Sequence, residues 1–97
     1  MSAVAVRPHL LLEYVLAADY LERRGALREE HLALVAGRDD LVLAGALDTA
    51  DRALLVFRGA VAGSVEAFAK ADPYVQQGLV TSWRVTAWNV VAGDAAA

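Results

Sequence analysis

Cysteine is absent from the 97 residues, and its absence removes several chemistries at once. No disulfide framework, thiolate nucleophile, iron–sulfur cluster or cysteine-bound zinc can be built from this chain. The two histidines, His9 and His31, stand in no spacing with carboxylates that suits zinc or iron. Neither a metal nor any other cofactor is therefore expected. Basic charge is scarce as well, with nine Lys and Arg against twelve Asp and Glu and a net charge of −3. A phosphate backbone calls for a concentrated basic face, so nucleic acid is not an expected partner. Phosphate loops are missing too: residues 59–63, GAVAG, lack the Lys-Ser/Thr ending of a nucleotide-binding turn. Ser64 has no G-x-S-x-G context, which leaves it a capping role rather than a nucleophilic one. Long apolar runs are also lacking, and no stretch reaches the roughly 18–20 residues of a membrane span. Residues 1–6 are too short for a signal sequence, and Arg7, Pro8, His9 and Glu13 interrupt the apolar stretch beyond them. A soluble, cytoplasmic protein is the expectation.

What the chain does have is apolar material, at 58% hydrophobic and 22% charged residues, which excludes disorder. At 10.3 kDa it makes one domain over residues 1–97, with an ordered core over about 9–91 and a frayed tail over 92–97. Residues 9–17, HLLLEYVLA, have strand length, with Leu10, Leu12, Tyr14 and Leu16 on one side and Leu11, Glu13, Val15 and Ala17 on the other. Both sides are mainly apolar, so this strand should be covered on both faces. Asp19 is a candidate cap for a helix whose inner face carries Tyr20, Arg24, Leu27, His31, Leu34 and Val35 at three-and-four spacing. Gly25 costs about 1 kcal/mol relative to Ala in a helix, which argues for a proper start only near Ala26. Gly37 is a stop signal.

Two more strands are expected at residues 41–47 and 53–58, joined by a short hairpin over 48–52. Residues 59–63 read as a loop, and Ser64 as the cap of a helix to about Ala71. Asp72 followed by Pro73 reads as the cap and first position of a one-turn helix that Gly78 ends. Residues 80–91 form a long last strand, with Trp83 and Trp88 at opposite parity. The order β-α-β-β-α-β is the ferredoxin-like split motif, an α+β fold with a four-stranded antiparallel sheet and both helices on one face. Apolar residues at both parities would leave a bare hydrophobic sheet face larger than soluble monomers usually expose. A homodimer packed sheet face to sheet face is the expected solution.

Several segments together resemble the YCII-related (YciI-like) family. They are Tyr20-Leu21-Glu22-Arg23-Arg24, Arg28-Glu29-Glu30-His31-Leu32, Leu43-Ala44-Gly45-Ala46-Leu47, Ala71-Asp72-Pro73-Tyr74 with Gly78-Leu79, and Trp83-Arg84-Val85 with Trp88. The resemblance runs over about residues 9–91, and its most specific part is R-x-x-H-L paired with D-P-Y. It implies a dimeric α+β barrel, two ferredoxin-like protomers packed sheet to sheet, with a His–Asp pair in the cleft that matches His31 and Asp72. Relatives in this superfamily include enzymes that isomerise or dehalogenate small products of aromatic-ring breakdown, and others with no assigned activity. The chain departs from the family in having Ala46 where many members carry Pro, and in a short 48–52 hairpin without an Asp-Gly turn. The stretch between His31 and Leu41 is also short, and these differences alter the rim of the implied pocket.

On that footing His31 is the candidate acid or base, since an imidazole with a pKa of about 6.5 exchanges protons at neutral pH. Asp72 would orient it by accepting a ring N–H. Each has a plainer reading: His31 as a half-buried histidine bonded to a carbonyl, Asp72 as an ordinary helix cap. Arg24 and Arg28, one turn apart beside His31, could clamp a substrate carboxylate, or simply pair with Glu22, Glu29 or Glu30 on the surface. Tyr14 and Tyr74 could donate to a ligand oxygen or only pack. His9 reads as a surface or edge residue. The expected function is acid–base work on a small, anionic organic molecule, of isomerase, lyase or dehalogenase type. The alternative is a non-catalytic binding or scaffold dimer, marked by a His31 without a carboxylate in reach and a closed pocket.

Overall fold

The computed structural model describes residues 5–59 and 61–93. Residues 1–4, Ala60 and 94–97, which hold most of the expected tail and one loop position, lie outside the described residues. The elements are β1 (Arg7–Leu16), α1 (Tyr20–Ala36), β2 (Leu41–Ala46), β3 (Arg52–Arg58), α2 (Ala62–Ala71), α3 (Pro73–Gln76) and β4 (Val80–Val90). The four strands form one sheet in the order β2-β3-β1-β4, and every neighbouring pair is antiparallel. This is the ferredoxin-like βαββαβ arrangement that the element order predicts.

Strand parity decides what faces the helices. Leu10, Leu12 and Tyr14 of β1 lie opposite Phe57, Leu55 and Ala53 of β3, and opposite Ala87, Val85 and Trp83 of β4. The β1 and β3 positions make the core with Leu16, Tyr20, Val65, Phe68, Ala69, Tyr74, Leu79 and Val80; Trp83 and Val85 pack against it half-buried, and Ala87 is exposed. Each large apolar side chain taken out of water there is worth about 1.5–3 kcal/mol. One irregularity shapes the edge: β2 carries a bulge between Leu41 and Leu43. The extra residue brings Ala44 and Ala46, opposite Leu55 and Ala53, onto the helix-facing side. Ala44 thus stands where simple alternation from Leu41 would place Leu43, and Ala46 where it would place Gly45.

The helices depart from the sequence expectation at their starts. α1 begins at Tyr20 and runs unbroken through Gly25, because Gly25 faces open space and loses no packing. Asp19 precedes it but makes no side-chain cap, and sits 3.7 Å from the Arg23 guanidinium instead. α2 starts three residues earlier than expected, at Ala62, so Ser64 lies inside the helix and is not its cap. Its hydroxyl accepts from Arg38 at 3.0 Å, and Arg38 also makes a two-pronged contact with Asp40 at 2.8 and 2.9 Å. The same guanidinium covers the rings of Phe57 and Phe68, tying the end of α1 to α2 and the core. α3 matches the expectation: Asp72 caps it, Pro73 opens it, and Gly78 turns the chain at φ +79°.

The opposite sheet face carries Leu11, Val15, Leu54, Val56, Leu43 and Trp88, of which Leu43 and Trp88 are 56% and 47% exposed. His9 also lies on this face, and the structure corrects its expected surface position: it is 2% exposed. β1 is a central strand rather than an edge, so His9 is flanked by Arg58 on β3 and Trp88 on β4. Its Nδ1 lies 3.1 Å from the Arg7 carbonyl.

Candidate active site

The site is built where α2 gives way to α3. Asp72 leaves α2 with extended backbone, and Pro73 cannot continue that helix, so the carboxylate is aimed back over the sheet. It is wholly buried, at 0% exposure, and three groups surround it. The Tyr74 backbone N–H donates to Oδ1 at 3.0 Å, the ordinary cap of α3. The Tyr14 hydroxyl, from the last third of β1, donates to Oδ2 at 2.8 Å. His31 Nδ1, from the inner face of α1, lies 3.0 and 2.9 Å from Oδ1 and Oδ2. A carboxylate accepts only, so the hydrogen of neutral His31 belongs on Nδ1, and Nε2 is left as the basic nitrogen.

Aromatic contacts complete the setting. The His31 ring stacks on Tyr74 with centroids 4.0 Å apart, and Tyr20 meets Tyr74 edge to face at 5.8 Å. Burial, and secondarily the charge of Asp72 and the hydrogen bond to it, push the Tyr14 hydroxyl far above the ordinary phenol range. It stays a protonated donor. Burial also raises the Tyr74 hydroxyl, with Tyr20 adding to the effect and the charges of Arg28 and Arg24 partly opposing it.

α1 buries only Tyr20 completely and leaves a gap over the sheet. That gap is a cavity of about 280 Å³ between α1 and the β2–β3 edge. Ala44, Ala46, Ala53 and Leu55 form its apolar wall, His31 and Tyr74 stand on the opposite side, and Arg24 and Arg28 border it. Neither arginine forms an ion pair with a carboxylate among the described residues, so the expected surface pairing with Glu22, Glu29 or Glu30 is not made. Arg24 lies over the Tyr20 ring at 5.8 Å. Two guanidinium groups without a protein counter-ion beside a cavity attract an anion.

Of the six residues singled out in the sequence, His31, Arg24, Arg28, Tyr14 and Tyr74 line this cavity. Asp72 lies behind them, joined to His31 and Tyr14. Two features escaped the sequence reading. The Tyr14–Asp72 hydrogen bond joins residues 58 positions apart. Its only signal was a polar tip inside the apolar row Leu10, Leu12, Leu16, which demands a buried partner. The small-residue wall of β2 depends on a bulge that alternation does not announce. Among the described residues no group of His, Asp and Glu is placed to hold a metal ion, and no helix is long and apolar enough to cross a membrane.

No family model matches the sequence, and a search of the curated proteins gives no match. Among solved structures, the chain is similar to 5-chloro-2-hydroxyhydroquinone dehydrochlorinase from Burkholderia phenoliruptrix, solved in complex with 2,5-dihydroxybenzoquinone. The likeness covers 84% of this chain and 93% of that one, with a TM-score of 0.71 and 20% identity. At that identity it is a likeness of fold: the chain has a ferredoxin-like α+β fold.

Proposed function

We propose that the chain is a YciI-like cytoplasmic protein, working as a sheet-to-sheet homodimer, that carries out acid–base chemistry on a small anionic organic molecule. The observation that carries this reading is His31, held at Nδ1 by a buried carboxylate and facing a cavity bordered by two arginines. In this scheme Nε2 takes a proton from a carbon next to a carbonyl, and Asp72 stabilises the imidazolium that forms. Arg28, one turn before His31, and Arg24 hold the anionic group and the oxyanion that develops. Return of the proton to a different carbon gives isomerisation. Departure of a halide instead gives elimination, with net loss of one hydrogen halide. The apolar wall of Ala44, Ala46 and Leu55 suits the flat side of a ring, and the neighbour's complex with a dihydroxybenzoquinone is in keeping with a ligand of that size.

The binding-only alternative called for a His31 without a carboxylate and a closed pocket, and neither sign is present. The reading is tested by incubating the protein in D2O with small ring-bearing keto acids and chlorinated hydroquinones. Carbon-bound hydrogen exchange is monitored by NMR, and chloride release by ion chromatography. Exchange or release with the wild type that disappears in His31→Gln supports the proposal. Equal behaviour of the two proteins across the panel sinks it.

A further inference from the structure

We propose that Tyr14 is a positioning residue for His31 and acts through Asp72, its hydroxyl fixing the carboxylate that in turn fixes the imidazole. The inference rests on the acid–base reading of His31 and Asp72 only for its catalytic consequence. The geometry stands without it.

Packing alone needs a ring at this position, and phenylalanine would supply one. Tyr14 is 1% exposed, between Leu12 and Leu16 on the core side of the central strand. A hydroxyl buried there is unfavourable unless it is bonded, and the partner it has is Oδ2 of Asp72 at 2.8 Å. Capping α3 does not require that bond, since the Tyr74 N–H is served by Oδ1. What Tyr14 adds is a donor on the oxygen that lies 2.9 Å from His31 Nδ1.

The added donor has two effects. With fixed donors on both oxygens the carboxylate cannot turn about its Cβ–Cγ bond, so the in-plane direction of the imidazole is set. The hydroxyl also draws on the charge that Oδ2 offers to His31, which moderates the hold of Asp72 on the imidazolium. A base that must surrender its proton each turnover benefits from a partner tempered in this way. When His31 is neutral, Asp72 still keeps the Tyr14 and Tyr74 donors.

Among the described residues, the charged and titratable groups around His31 are Asp72, Tyr74 and Tyr14, with Tyr20, Arg24 and Arg28 of its own helix. Tyr14→Phe changes one of them and keeps the ring. The experiment is an NMR titration of the His31 ring, with the Nδ1–H proton resonance read in the same samples. Relative to wild type, Tyr14→Phe is expected to move the His31 midpoint to higher pH and the Nδ1–H resonance downfield. Site-specific 3-fluorotyrosine at position 14, a stronger donor of nearly the same shape, moves both the other way and guards against misfolding of the phenylalanine variant. In an Asp72→Asn background, adding Tyr14→Phe should change neither quantity further. Leu12→Ala, which loosens the same core on the same strand without touching a polar atom or the cavity wall, should leave both near wild type. A Tyr14→Phe protein with lowered melting temperature but wild-type His31 titration and resonance overturns the proposal, leaving Tyr14 as a fold-holding bond. Because the imidazole is read directly, lack of turnover on every substrate would sink the proposed activity and not this inference.

Discussion

The imidazole of His31 lies flat on the phenol ring of Tyr74, with centroids 4.0 Å apart and planes 7° from parallel. Asp72, two residues before Tyr74, grips the same imidazole in its own plane at 2.9 Å. One short segment therefore fixes both the plane of the ring and its rotation within that plane, and Pro73 between them stiffens the segment. The Tyr74 backbone N–H completes the link by holding the carboxylate.

Tyr74→Leu should accordingly do more than empty the core. Loss of the buried ring and its edge-to-face contact with Tyr20 is expected to cost about 2–4 kcal/mol in urea unfolding. Tyr74→Phe, which keeps both ring contacts, should cost less than about 1.5 kcal/mol. The site readout separates the two further: the His31 ring signals stay sharp in Tyr74→Phe and broaden in Tyr74→Leu. Sharp, wild-type signals in the leucine variant would mean that Asp72 orients the ring unaided.

Arg24 and Arg28 border the cavity without a carboxylate partner among the described residues. A small ring carboxylate such as benzoate is expected to bind the wild type and to lose about five- to tenfold in affinity with Arg28→Gln. Arg24→Gln should behave similarly. Added salt should weaken the wild type more than the double variant, since the attraction is between charges. Calorimetry at two salt concentrations checks both statements, and an unchanged affinity in the double variant would remove the arginines from the site.

Arg38 and Asp40 make a pH-dependent contribution whose sign is fixed. The Asp40 carboxyl is held below its ordinary range, chiefly by the hydrogen bond from Arg38, with Arg38's charge adding to it. Folded protein thus binds that proton less readily than unfolded chain. The resulting stability is complete above the usual carboxylate range, about pH 4, and is lost as pH falls through the lowered folded value. Both side chains are partly exposed, so Arg38→Gln should forfeit only about 1 kcal/mol of ion-pair stability at pH 7. Urea midpoints of the two proteins should converge in acid, leaving the difference due to packing over Phe57 and Phe68. A gap as wide near pH 3 as at pH 7 would assign the whole effect to packing.

The element order and the inner face of α1 were legible because they depend on local periodicity. Tyr20, Arg24, Leu27, His31, Leu34 and Val35 are the helix positions turned inward. Asp72-Pro73 carried its own geometry, since a proline there ends one helix and opens the next. Gly25 misled because propensity is a weak term: about 1 kcal/mol is outweighed by a helix anchored at Tyr20 and His31. His9 misled because the spatial order of strands is not written locally; third from one edge, β1 is central only once β3 and β4 flank it. The resemblance supplied the His31–Asp72 pair. The hydroxyl of Tyr14 and the β2 bulge belong to tertiary structure, and no spacing rule reaches them.

The sheet face turned away from the helices bears on assembly. Leu11 stands at its centre on β1, with Val56 and Leu43 to one side and Trp88 near the other. Glu13 and Arg84, paired at 2.6 Å, share this face, and the apolar side chains beside them are what a second copy of the sheet would cover. The wild type should sediment at twice 10.3 kDa, and its melting temperature should rise with protein concentration. Leu11→Glu keeps the strand and its backbone pairing but places a charge in the centre of the contact, where desolvation without a partner is prohibitive. The variant should sediment as a monomer and melt lower, with no dependence on concentration. If the wild type is itself monomeric at every concentration, the sheet face is solvent-facing and the dimer is excluded.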